Sequence, residues 1–209
     1  MGWHLVDDGD CVASIAEEHG LPVDAIWDDP ANADLKAKRD SKNVLAKGDA
    51  VFLPERTVSA RSLAGDQRHR FRMKSALIDF RLKLAQEDGP LAALPYRLEV
   101  EGKFYPPTGD AQTDGDGFVA QKVPATAKKG TLVLPTLGRR LEIRIGSLEP
   151  PTEERGLRAR LRNLGLLSEG DDESGLRSGI AAFQGANGLE PTGDADDATR
   201  ARLREVHGS

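Results

Sequence analysis

The stretch Phe183-Gln184-Gly185-Ala186-Asn187-Gly188-Leu189-Glu190-Pro191-Thr192-Gly193-Asp194 limits more than any other what this chain can fold into. Helical text ends at Gly188, a tight turn holds Thr192-Gly193, and a further helix opens beside Asp197-Ala198-Thr199. Phe183 and Leu189 are the apolar anchors of that corner. Around it, three sets of residues stand at i, i+4 and i+7: Leu157, Leu161, Leu164; Leu176, Ile180, Phe183; and Thr199, Leu203, Val206. A short helix with one stripe needs two partners to cover it, so the spacing predicts a three-helix unit over 150–209.

The pattern F-Q…G-L…T-G…T…L, preceded by Arg160, Leu161, Leu164 and Gly165, resembles the three-helix type of peptidoglycan-binding domain, a non-catalytic appendage of many cell-wall enzymes. The residues that carry the likeness are Leu161, Leu164, Gly165, Phe183, Gln184, Gly188, Leu189, Thr192, Gly193, Thr199 and Leu203. Most of them are core or turn residues, so they speak to fold more than to ligand. The family usually has a D-G-x-F/Y-G loop between its first two helices, near where a wall ligand is expected. Here that place holds Ser168-Glu169-Gly170-Asp171-Asp172-Glu173-Ser174, which is acidic and has no aromatic.

The head, residues 1–54, is a second compact unit. His4-Leu5-Val6 reads as a strand, and Asp10 stands where it would cap a helix carrying Val12, Ile15 and Ala16. Pro22 suits the start of a second helix with Val23, Ile26 and Trp27, and Val51-Phe52-Leu53-Pro54 reads as a closing strand. The predicted order is βααβ, the strands antiparallel and both helices on one face. V-x-x-G-D-x-x-x-x-I-A and the closing L-x-x-G-D-x-x-x-x-P resemble a LysM domain, a family that binds N-acetylglucosamine-containing glycans. The resemblance implies a groove lined by Gly9, Asp10, Cys11 and Val12 on one side and by Trp27, Asp28, Asp29, Pro30 and Asn32 on the other. Cys11 stands where the family commonly has Thr, which removes a hydroxyl that could bond a sugar. Trp27 suits either stacking on a pyranose or a place in the core.

Residues 55–73 read as a basic linker, either a solvated tether or a contact strip for an acidic surface. In 74–149 the period changes to two. Ala76, Ile78, Phe80, Leu82 and Leu84 alternate with Leu77, Asp79, Arg81, Lys83 and Ala85, and further strands are expected at 96–101, 118–123, 130–134 and 141–146. Gly, Pro and Asp turns between them argue for a small antiparallel sandwich. Leu94–Gly102 followed by Thr113-Asp114-Gly115-Asp116-Gly117-Phe118 resembles transthyretin-like sandwiches with their T-D-x-x-G hairpin. A calcium loop aligned on Gly117 would need ligands at Gln112 and Val123, which cannot supply them, so Asp114–Gly117 reads as a turn. The fold class is thus multidomain α+β.

Chemistry is scarce. No H-E-x-x-H, G-x-S-x-G or phosphate-cradling glycine loop is present, and no catalytic residue or cofactor is assigned. His4, His19, His69 and His207 are far apart in sequence, and with Cys11 as the only cysteine their spacing gives no zinc motif. Cys11 reads as a small buried side chain. A net charge of −5 argues against nucleic acid as partner. No apolar run approaches the ~20 residues that span a bilayer, and Met1–Asp8 lacks the basic and apolar regions of an export signal.

Taken whole, the head, middle and tail resemble composite proteins of contractile, type VI secretion systems. That likeness implies a non-enzymatic adaptor, cytoplasmic as synthesised, docking to a spike or effector protein and contacting peptidoglycan after delivery. The second reading is a plain peptidoglycan-binding protein that grips the wall through two weak modules. A wall hydrolase within the β region is the third.

Overall fold

The computed structural model describes residues 2–39, 41–56, 68, 75–86 and 88–207. The chain is mixed α and β, with six α-helices and small antiparallel sheets among the described residues. Most of the basic linker expected over 55–73 lies outside the described residues.

In the head, β1 (Gly2–Leu5) and β2 (Ala50–Leu53) pair antiparallel, with Trp3 opposite Phe52 and His4 opposite Val51. Between them run α1 (Val12–His19), α2 (Val23–Trp27) and a further helix α3 (Ala33–Lys38), entered through a 3-10 turn at Pro30–Asn32. The βααβ expectation therefore missed a helix. Its text, Ala33-Asp34-Leu35-Lys36-Ala37-Lys38, offers only Leu35 as a buried apolar side chain, too little for a periodic stripe. Val6, Val12, Ile15, Ile26, Leu45 and Val51 form the core.

Asp10 does not cap α1. Cys11 does: its Sγ accepts the Ser14 amide at 3.4 Å, while Ser14 Oγ accepts the Cys11 amide at 3.0 Å, closing a reciprocal capping box. A thiol is a weak acceptor, so Cys was not among the residue types that announce a cap.

The middle contains β3 (Leu77–Lys83), β4 (Ala85–Gln86), β5 (Gly89–Pro90), β6 (Pro95–Val100), β7 (Lys103–Tyr105), β8 (Ala111–Gln112), β9 (Phe118–Pro124), β10 (Lys129–Leu134) and β11 (Arg139–Arg144). One sheet runs β11-β10-β6-β7, with β8 also on β6. β3 and β9 pair separately, and β4 with β5. Tyr96, Leu98, Val100, Leu132 and Leu134 from the larger sheet meet Val119 and Val123 of β9 and Ile78, Phe80 and Leu82 of β3 in one core. Alternation along β3 sends those three side chains inward. The turn at Asp114–Gly117 is held by Asp114 Oδ1, which accepts the amides of Asp116 and Phe118. Gly117, at φ +80°, lies so close to the Leu84 carbonyl that no Cβ fits.

In the tail, α4 (Glu154–Asn163), α5 (Glu173–Ala186) and α6 (Asp197–His207) cover one another's stripes, burying Leu157, Leu161, Leu176, Ile180, Phe183 and Leu203. Head, middle and tail also touch. Cys11 and Ala13 bury against Ala125, Lys128 Nζ reaches Asp10 Oδ1 at 2.8 Å, and Arg39 Nη1 reaches Glu153 Oε1 at 2.7 Å.

Candidate functional site

The corner of the tail is organised by one amide. Gln184 is buried on α5, its Nε2 donating to the Asp194 carbonyl at 2.9 Å and to Thr199 Oγ1 at 2.9 Å, and its Oε1 accepting the Gly193 amide at 2.9 Å. It thereby fastens the turn at Thr192–Asp194 to the start of α6, where Asp196 Oδ1 accepts the Thr199 amide at 2.8 Å. The Asp196 carboxyl sits below the ordinary range because Thr199 hydrogen-bonds it. Phe183, Thr199, Leu161 and Leu203 are buried, Leu164 and Leu189 half-buried, and Gly165 and Gly188 take positive φ at 74° and 72°. These residues build the unit; few of them offer atoms to a ligand.

The exposed chemistry lies in the loop between α4 and α5. Asp171 Oδ2 accepts the Ser168 amide at 2.7 Å, and Asp172 caps α5 by accepting the Gly175 amide at 3.0 Å. Arg158 gathers the loop, donating to Glu154 at 2.6 Å, to the Asp171 carbonyl at 3.0 Å and to Glu173 at 3.4 Å. Glu169 and Glu173 remain exposed, so the loop presents an ordered negative surface.

Residues 155–203, somewhat under a quarter of the chain, match a family model described as "Putative peptidoglycan binding domain". The match supports a peptidoglycan-binding domain in the tail. Comparison with the curated proteins and with the solved structures finds no match. Within the peptidoglycan-binding domain, Arg160 is a residue whose role the sequence pattern does not convey. Its side chain is buried and donates from Nη1 to the carbonyls of Glu149 at 2.6 Å and Gly156 at 3.0 Å. Burial, with the charge of Arg204 nearby, lowers its pKa to about 10. Arg160 ties the domain to the segment that enters it.

The nine groove residues of the head do not converge on one open surface. Cys11, Val12 and Asn32 are buried at 2%, 0% and 1% exposure. Asn32 serves the fold, its Nδ2 donating to the carbonyls of Ile26 at 2.8 Å and Phe52 at 2.9 Å while its Oδ1 accepts the Phe52 amide at 2.7 Å. Gly9 and Asp10 face the middle of the chain. The Lys128 side chain lies over Gly9, and the Gly9 carbonyl would sit 2.9 Å from a Cβ placed on Gly146. Burial tends to raise the Asp10 pKa, but Lys128, the Asp7 amide and His4 outweigh it and hold the carboxyl below its ordinary range. The expected first wall of the groove is therefore taken up by the chain itself, because glycine and short acidic side chains let another strand end approach closely. On the other side Trp27 is half-buried with Lys36 Nζ 5.9 Å above its ring, Lys36 pairs with Asp28 at 2.6 Å, and Asp29 caps the turn that starts at Pro30 by accepting the Ala31 amide.

One grouping was invisible to spacing. His4 Nδ1 and His19 Nε2 stand 3.4 Å apart, because β1 lays its inward residue beside the end of α1.

Proposed function

We propose that the protein is a non-enzymatic peptidoglycan-binding protein that holds the wall through its C-terminal domain. The observation that carries this reading is the family match over 155–203, on residues that form three mutually covered helices around the Gln184 corner. The acidic loop at 168–174 gives the surface a chemical preference. Exposed carboxylates such as Glu169 and Glu173 complement the free amines of peptidoglycan stem peptides better than they complement stem carboxylates. The likeness of the head to LysM domains supports a weaker second contact, restricted to the Trp27 side because its other wall packs on Lys128 and Gly146. The middle, with its likeness to transthyretin-like sandwiches, spaces and orients the two.

A second reading, an adaptor of a type VI-like secretion system that docks a spike or effector protein and meets the wall after delivery, draws on the three-part architecture. The packed-off head groove favours it, since a module without an open glycan groove is free to serve as a protein surface.

Sedimentation with insoluble peptidoglycan tests the proposal. The full chain is expected in the pellet, with Glu169→Lys combined with Glu173→Lys cutting retention several-fold and Trp27→Ala cutting it little. Absence of the protein from the pellet would overturn wall binding and leave docking. Release of soluble wall fragments would overturn the non-enzymatic assignment.

A further inference from the structure

His4 and His19 lie fifteen residues apart, yet their rings meet edge to face, centroids 5.5 Å apart at an interplanar angle of 81°. His4 projects from β1 opposite Val51, and His19 is the last residue of α1, which Gly20 ends in the left-handed conformation at φ 64°. Glu18 precedes it. One ligand atom from each of His4, Glu18 and His19 falls within 4.8 Å of the others.

The hydrogen bonds around His4 fix which nitrogen is available. Its Nε2 lies 3.2 Å from Asp10 Oδ2. Asp10 is itself anchored, Oδ1 by Lys128 Nζ at 2.8 Å and Oδ2 by the Asp7 amide at 3.0 Å. A carboxylate accepts only, so Nε2 carries the hydrogen, and in the neutral imidazole Nδ1 turns its lone pair towards His19. Carboxylate to histidine to metal is the arrangement that orients metal-binding imidazoles. The 3.4 Å between the two nitrogens is also the separation that a tetrahedral ion imposes on two imidazoles at ~2.0–2.1 Å each. His19 becomes a ligand by moving its ring hydrogen from Nε2 to Nδ1, with no net proton change. The carbonyl end of α1 adds negative potential where the cation would sit.

We propose that His4, His19 and Glu18 bind one divalent cation of the zinc type, with Asp10 as positioning residue and solvent in the fourth place. Two imidazoles and one carboxylate select borderline ions such as zinc and cobalt over magnesium and calcium, which want oxygen ligands. The cation would staple β1 to the end of α1, joining the first strand of the head to its first helix. Arg56, whose guanidinium lies near Gly20, and Lys128 are the cationic groups on its flanks. Neither offers a ligand atom.

The test is equilibrium dialysis of the full chain against zinc chloride, with thermal melting at each concentration. One zinc per chain is expected, with a melting temperature that rises with zinc and is untouched by excess magnesium. His19→Gln, at an exposed helix end, should abolish uptake while the metal-free protein keeps its circular dichroism spectrum. His4→Gln should do the same, Asp10→Asn should weaken binding about 10–100-fold, and His207→Gln should leave it unchanged. Nitrogen-15 NMR of the histidine rings should show zinc-induced shifts at His4 and His19. Uptake that survives both histidine variants, or zinc shifts confined to other histidines, would overturn the site.

Discussion

Gln184 shows how much of a small domain one buried amide can hold. Its bonds to Gly193 and Thr199 satisfy buried atoms, and its bond to the Asp194 carbonyl holds the turn between them. Gln184→Ala leaves those partners unpaired and opens a cavity. We expect it to cost about 2–4 kcal/mol in urea unfolding, whereas a loss under about 1 kcal/mol would mean that water replaces the amide. His207 makes a pH prediction. Burial, with the nearby charge of Arg160, lowers its pKa from 6.5 to about 4. The unfolded chain then binds the proton more readily, so stability is fully present above pH 6.5 and falls as pH drops towards 4. His207→Gln should flatten that slope in unfolding measurements across the window. Legibility at this scale followed atom type. Phe183, Leu161 and Leu203 announced themselves by spacing, while Gln184 stood in the pattern with no hint of its partners. Arg160 likewise stood in the pattern, but only tertiary contact reveals that its side chain is buried against the carbonyls of Glu149 and Gly156.

At the scale of the element, α4 and α5 contain glycines with opposite meanings. A Cβ on Gly156 would stand 2.1 Å from the Pro150 carbonyl and 2.4 Å from that of Glu149, whereas one on Gly185 meets nothing within 4 Å. Helix propensity alone favours alanine at both by ~1 kcal/mol. At Gly156 the overlap should win, since displacing those carbonyls also loosens the Arg160 bond to Glu149. Gly156→Ala is expected to destabilise by about 1–3 kcal/mol, and Gly185→Ala to stabilise by up to ~1 kcal/mol. Chemical denaturation of the two variants side by side checks the signs, and equal signs would refute the close-approach account. The longer strands of the middle were legible because period two persists, as through Ile78, Phe80 and Leu82, while β5, β7 and β8, of two or three residues each, are too short to show a period. The third helix of the head was not, because one buried leucine makes no period, and the Cys11 cap was not, because thiols rarely serve as caps. The packing of Lys128 and Gly146 over Gly9 and Asp10 was not legible for another reason: motif positions say where a residue sits in its own module, and nothing about a neighbouring module that covers it.

For the whole molecule, the decisive segment is Glu149–Glu153, where the chain enters the tail. Arg160 and Arg155 bond Glu149, Arg200 donates to the Pro151 carbonyl, and Glu153 reaches back to Arg39 of the head. Arg39 is 1% exposed in its side chain and holds Asp49 through two bonds of 2.7 Å. Burial tends to raise the Asp49 pKa, but the Arg39 bonds and charge prevail and hold it below its ordinary range, so this contribution is present above 3.8 and is lost as pH falls through the folded value. The two partners of Arg39 should therefore behave differently. Arg39→Ala leaves the buried Asp49 carboxylate to the Ala46 amide and the exposed Lys38 ammonium 3.7 Å away, and is expected to cost about 3–5 kcal/mol. Glu153 is about a third exposed, and Glu153→Ala should cost no more than about 1 kcal/mol. It should nevertheless free the tail from the head, because the remaining ion pair between the two among the described residues, Arg155 to Asp8 at 3.1 Å, is exposed and screened by salt. Small-angle scattering of Glu153→Ala should show a larger radius of gyration than the parent protein, increasingly so at high salt, with the melting temperature nearly unchanged. An unchanged scattering curve would mean that the bonds of Arg160, Arg155 and Arg200 to Glu149 and Pro151 suffice to fix the tail, and that the Arg39–Glu153 pair only decorates the joint.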